Sequence, residues 1–267
     1  MAQDRKFARG AEDTFPPNPN YGTGCYRRRI RLIPEDGAVL AMLDDTNHAM
    51  WARIFHDGSK VTGTEGETIR APNSNCPFAY KALQELIDLP LGMPRSDLYA
   101  EGRPIRNCTH MFDAAALAIK YGGRFERMRV YDVMVPDQKY GPVVAEVAID
   151  GRQVLRWKVH GPTLLEFEET HGPVPIMKGF TRWAVEALEG ELLEAAFVLQ
   201  PAYFVSSARN FIVDQMKDLP ITRLPELTGA CYAYQPERIE EGMQVIGNVR
   251  DFTDELVEYD AELTRQR

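Results

Sequence analysis

A strand-and-turn pattern in the first half of this chain returns in the second half at a nearly constant shift. Val39, Ala41, Leu43 and His56 recur as Val143, Ala145, Val147 and His160. Phe78, Tyr80, Ala82 and Leu83 recur as Trp183, Val185, Ala187 and Leu188 at a shift one residue larger. Successive strand side chains point to opposite faces, so this matched parity keeps the same face apolar in both copies. The turn Thr46-Asn47 falls on Asp150-Gly151. The expected architecture is therefore α+β: two diverged β-β-β-α repeats, with antiparallel sheets and helices packed on one face.

The local signals fill this frame in. Strands are expected over Tyr26 to Ile33, Val39 to Leu43, His48 to His56 and, as an edge, Lys60 to Arg70, with turns at Pro34-Glu35-Asp36-Gly37 and Asp57-Gly58. A helix starts at Cys76-Pro77, since a proline in the first turn gives up only an N–H that would be unpaired there. A second helix covers Thr109 to Tyr121. The second half repeats strands over Arg127 to Val135, Val143 to Ile149 and Val154 to Val159, then one helix over Lys178 to Leu199. Gly229 to Tyr234 reads as a short strand. The domain reading is a flexible arm over 1–20, a duplicated domain over 21–235 with halves at about 21–123 and 124–215, and a charged extension over 236–267.

Charge and composition exclude several functions. The net charge is -8, and an acidic surface repels phosphate backbones, so no nucleic-acid partner is expected. The one basic run, Arg27-Arg28-Arg29 with Arg31, alternates with apolar residues and reads as a strand with a charged outer face. No stretch approaches the ~18 apolar residues of a membrane span, so no membrane partner is expected. The charged start lacks an apolar signal core, which points to a cytoplasmic protein. Cys25, Cys76, Cys108 and Cys231 are then free thiols.

Three sets of residues could carry chemistry. Cys76 and Cys108 each sit at a helix start, where a thiol pKa is lowered, and with His110 they could hold a metal, Asp45 or His48 being a fourth ligand. The plainer reading is two small buried cysteines and a hydrogen-bonding histidine. His48 and His56 bracket one strand on one face, with Asp45 a turn away, so each could be a general acid or base; the plainer reading is two strand-end histidines bonded to backbone. His160 matches His56 and would face the same cleft if the halves pair. Trp51, Arg53, Tyr80 and Lys81 could bind and orient an aromatic or phenolic ligand. Gly63-Thr64-Glu65-Gly66 lacks the lysine of a phosphate-binding loop. Cys76 corresponds to Thr181, so any thiol chemistry belongs to the first half.

The run Tyr21-Gly22-Thr23-Gly24-Cys25-Tyr26-Arg27-Arg28-Arg29-Ile30-Arg31-Leu32 resembles a bacterial family known as domain of unknown function 2889. The likeness continues through His56-Asp57-Gly58, Val61-Thr62, Arg70-Ala71-Pro72, Asn75-Cys76-Pro77 and Asn107-Cys108-Thr109-His110-Met111, with Asn107 standing where the family typically has glycine. A looser likeness is to iron–sulfur scaffolds of the NifU type. One branch of the family is similar to lyases that release formaldehyde from lignin-derived phenylcoumarans. That resemblance implies a cofactor-independent lyase acting on a small aromatic substrate, with His48, His56 or Asp45 as base and no metal. A homodimer is compatible with it. The competing expectations are a metal or cluster scaffold on Cys76, Cys108 and His110, or a non-catalytic aromatic-ligand-binding protein.

Overall fold

The computed structural model describes residues 15–122, 124, 126–166 and 173–255. Residues 1–14 of the arm expected over 1–20, and 256–267 of the charged extension, lie outside the described residues. The fold is α+β, and its strands form one antiparallel sheet. In chain order these are β1 (Cys25–Glu35), β2 (Ala38–Asp45), β3 (Ala49–His56), β4 (Val61–Arg70), β5 (Arg129–Pro136), β6 (Val143–Ile149), β7 (Arg152–His160), β8 (Thr163–Glu166) and β9 (Val174–Pro175). Their order across the sheet is β4-β3-β2-β1-β5-β6-β7-β8-β9, so β1 and β5 meet at the centre and each half is a meander running outward. The first half brings four strands, with Lys60 to Arg70 supplying the expected edge, and the second brings five, β8 and β9 adding to the three expected.

Helices α1 (Arg95–Leu98), α2 (Arg103–Arg106), α3 (Thr109–Tyr121), α4 (Phe180–Ala187) and α5 (Gly190–Ser206) follow the meanders. The segment Cys76–Leu86 is a 3-10 helix with Pro77 in its first turn, where the sequence signals a helix without giving its type. α3 packs on β2 and β3, and α5 packs on β5, β6 and β7. The single helix expected over Lys178 to Leu199 is two, because Leu188 is extended and Gly190 has φ +56°, a conformation that favours glycine and breaks the helical run. The strand expected over Gly229 to Tyr234 is instead a 3-10 turn at Tyr232–Tyr234.

One core joins the two halves. Ile30, Leu32, Ala41, Leu43, Met50 and Ile54 share it with Val133, Ala145, Val147 and Trp157. Ala114, Ala115 and Ala118 of α3 and Ala195, Ala196 and Leu199 of α5 are buried against that face, and their small side chains let the helices lie close to the sheet. The opposite face is laced with charge: Arg29 pairs with Asp132 at 2.5 Å, Arg53 with Glu35 at 2.8 Å and Arg156 with Glu146 at 2.9 Å. A small apolar cluster of Leu40, Met42 and Ala49 with Trp51 also lies on that face.

The two terminal assignments change. Residues 15–20 do not form a free arm: Phe15 is buried beside Leu224, Pro17 bridges Phe211, and Asn18 N donates to Asn210 O at 2.8 Å. The expected charged extension is also tied to the domain over residues 236–255. Val245 N donates to Pro72 O and Arg250 N to Thr46 O, both at 2.8 Å, so this segment straps the end of the sheet where β2 meets β3. No helix among the described residues is long and apolar enough to cross a membrane.

Candidate functional site

The β2–β3 turn carries a buried polar cluster. Asp45 ends β2 directly across from Arg28 on β1. Its Oδ1 accepts from the backbone N–H groups of Asn47 (2.7 Å) and His48 (2.8 Å), the Asx-turn geometry for which Asp is favoured in turns. The same oxygen lies 3.0 Å from His48 Nδ1. Oδ2 accepts from the Tyr26 hydroxyl at 2.6 Å and from Arg28 Nη2 at 2.9 Å and Nε at 3.1 Å. Arg28 is 1% exposed and Asp45 is fully buried, so this ion pair is out of water. A second buried arginine braces the turn. Arg70 Nη2 donates to Asp44 Oδ1 (2.5 Å), Asp45 O (2.7 Å) and His48 O (3.1 Å), and its Nη1 donates to Asn248 O on the C-terminal strap. His110, in the first turn of α3, stacks on His48 with ring centroids 4.1 Å apart.

Burial alone would raise the Asp45 carboxyl, but the adjoining His48 and Arg28 hold it well below the usual carboxylate range. An ionised carboxylate only accepts, so the His48 Nδ1–H must donate to it, which leaves Nε2 as the free basic nitrogen. Burial and the Asp45 carboxylate, outweighing the opposing Arg28, keep the Tyr26 phenol protonated to well above its ordinary range. Burial, reinforced by His48 and Arg28, pushes His110 well below the ordinary histidine range, so His110 is a neutral ring. A histidine lowered in the folded state loses to the unfolded chain, which takes up the proton first as pH falls below about 6.5. The unfolding midpoint is therefore expected to drop between pH 7 and 5, and to drop less in His110→Gln; chemical unfolding of both chains at the two pH values checks this.

The sequence candidates separate. Asp45, His48 and His110 come together, their ligating atoms all within 4.8 Å of one another. His48 immediately precedes β3 and His56 ends it, eight residues on and roughly 25 Å away. His160 lies at the same end of the sheet as His48, but with β2, β1, β5 and β6 between their strands it is roughly 20–25 Å off across the sheet, so no cleft joins His56 and His160. His160 borders a different cavity of about 310 Å³ with Tyr21, Gln138 and Tyr203. Trp51 and Arg53 lie on the charged face, Arg53 stacked 5.5 Å over Trp51 and bonded to Glu35 and Glu65. Tyr80 meets Trp51 only in a shallow pocket at the β4 edge, and Lys81 is exposed over the Phe78 ring.

The cysteines do not behave as expected either. Burial raises Cys76 well above the ordinary thiol range and pushes Cys108 up to about 12, so desolvation outweighs the helix starts and both thiols stay protonated. Cys108 Sγ lies 3.9 Å from Met50 Sδ and 4.0 Å from His110 Nδ1. Sequence reasoning missed Tyr26, Arg28 and Arg70. A signal existed for the first two: Tyr26, Arg28 and Ile30 share one parity, which turns Arg28 inward while Arg27, Arg29 and Arg31 face out. No protein-family model matches this chain, and no curated protein does.

Proposed function

We propose that the protein is a small-molecule enzyme, a cofactor-independent carbon–carbon lyase that releases formaldehyde from an aromatic substrate of the phenylcoumaran type, with His48 as its base. The observation that carries the reading is the Asp45–His48 pair at 3.0 Å, in which a buried, ionised carboxylate fixes the imidazole tautomer and leaves Nε2 free. Losing formaldehyde requires a base to take the proton of a hydroxymethyl O–H as the carbon–carbon bond breaks, and a positioned histidine suits that step. The electron pair of the broken bond stays with the aromatic fragment, which takes a proton back. Arg28 and Tyr26 act as positioning residues, since both bond to Asp45 and neither is exposed. The substrate class rests on the sequence resemblance, carried by the blocks around Tyr21 to Leu32 and Asn107 to Met111.

The purified protein is expected to release formaldehyde from phenolic dimers bearing a hydroxymethyl arm, with no dependence on added metal. A folded protein that releases none across a panel of such dimers would remove the lyase reading. The cluster of Asp45, His48 and His110 also has the spacing of a metal site. Six donor contacts already converge on the Asp45 carboxylate, more than its roughly four lone-pair sites. An ion there would have to displace Arg28 or His48, so the metal-free reading fits the cluster better. Stoichiometric metal in the purified protein, lost in His110→Gln, would reverse that preference.

The strand order also supports reading the chain as two diverged copies: outward from the β1–β5 pair, β2 answers β6, β3 answers β7 and β4 answers β8. Helices α3 and α5 then cover equivalent faces of the two meanders. In this reading the first copy supplies Asp45, His48 and His110, and His160 is the second copy's match to His56.

A further inference from the structure

α3 carries His110 in its first turn and ends at Tyr121, which meets Glu194 near the start of α5. Between α3 and the α4–α5 pair, away from His48, lies a groove of about 380 Å³, a volume in the range of small-molecule sites. Its walls include Leu117, Phe197 and the exposed Val185. Arg95, Lys120 and Arg124 bring three cations to it.

These cations differ in how far they are already matched. Arg95 is held by two rings, 3.6 Å over Tyr99 and 4.4 Å from the Phe197 centroid, and lies 3.5 Å from Asp113. Lys120 bonds Glu194, but that carboxylate also accepts from Tyr131 (2.5 Å), Tyr121 (2.6 Å) and Arg129 (3.2 Å), so its charge is shared. Arg124 has no carboxylate partner among the described residues. It packs on Gly92, where a Cβ would sit 2.4 Å from Arg124 Nη2 and where φ is +70°, so a glycine both permits the turn and leaves room for the guanidinium. An unmatched cation beside apolar walls, in a chain of net charge -8, is complementary to one kind of ligand.

We propose that this groove binds a small amphipathic carboxylate, its apolar or aromatic body between α3 and α5 and its head on Arg124 and Lys120. The proposal is independent of the His48 chemistry. Calorimetric titration with 4-phenylbutyrate and with its uncharged twin 4-phenylbutan-1-ol tests it. The acid is expected to bind about tenfold or more tightly than the alcohol, a difference of one decade in Kd. Arg124→Glu should lose about that factor, and Val185→Asp, which adds a carboxylate at an exposed wall, should also weaken the acid. His48→Gln should bind as the unaltered chain does, and melting curves confirm that each variant is folded. Equal affinity for acid and alcohol, an Arg124→Glu protein that binds the acid undiminished, or no binding of the acid up to its solubility limit would each overturn the proposal.

Discussion

Arg28→Met is expected to destabilise the protein by about 3–5 kcal/mol, the cost of leaving a buried charge without its partner. Arg28 and Asp45 are both out of water, and Arg28 supplies two of the three donors on Oδ2. Without it, Asp45 keeps its hydrogen bonds from Tyr26, His48 and two backbone amides but loses the guanidinium charge that offsets its own in the interior. The double variant Arg28→Met with Asp45→Asn should recover part of the loss, because replacing both members of a buried pair is often far milder than removing one. Guanidinium unfolding curves measure both; a loss under about 1 kcal/mol for the single variant would show that Asp45 does not depend on Arg28. The pH dependence has a definite sign. Asp45 is depressed in the folded state, so its stabilisation is present above the unfolded carboxyl pKa of about 4 and is lost as pH falls through the folded value. That acid-side slope should flatten in Arg28→Met.

His48→Gln is expected to cut formaldehyde release by about 100- to 10,000-fold in kcat, the range contributed by a positioned general base. Glutamine keeps a polar side chain at the turn but cannot accept the proton, so the fold should survive while the chemistry does not. His56→Gln is the matched control. His56 was an equal candidate on parity alone, yet it sits at the other end of β3, and its replacement should leave the rate unchanged. A His48→Gln protein with the rate of the unaltered chain would move the base elsewhere.

Much of the sheet was legible because strand parity is a local property. Val39, Ala41 and Leu43 announce their shared face without reference to any other segment, and the Thr- and Gly-rich β4 reads correctly as an edge. Asp150-Gly151 likewise reads as a hairpin turn and forms one, with φ +52° and +77°. What could not be read depends on partners from elsewhere. The helix break at Leu188 to Gly190 hides in a continuous apolar pattern. Cys76 and Cys108 look activated at helix starts until burial is known. At the site, Asp45 and His48 are adjacent in sequence and were found together, whereas His110 and Arg28 join them only through α3 packing on the sheet and the β1–β2 register. His56 and His160, which the proposed repeat matches, are separated by the order of the strands.

The strap formed by residues 243–250 has a consequence for the order in which the molecule is built. Arg70 reaches Asn248, and Thr46 accepts from Arg250, so the turn bearing Asp45 and His48 is braced by residues that are made long after it. Closing so long a loop is slow relative to local hairpin formation. During synthesis the sheet can assemble first, and the turn bearing Asp45 and His48 stays unbraced until the strap arrives. A nascent or truncated chain that stops before residue 244 would therefore carry every proposed catalytic residue and still lack a completed site.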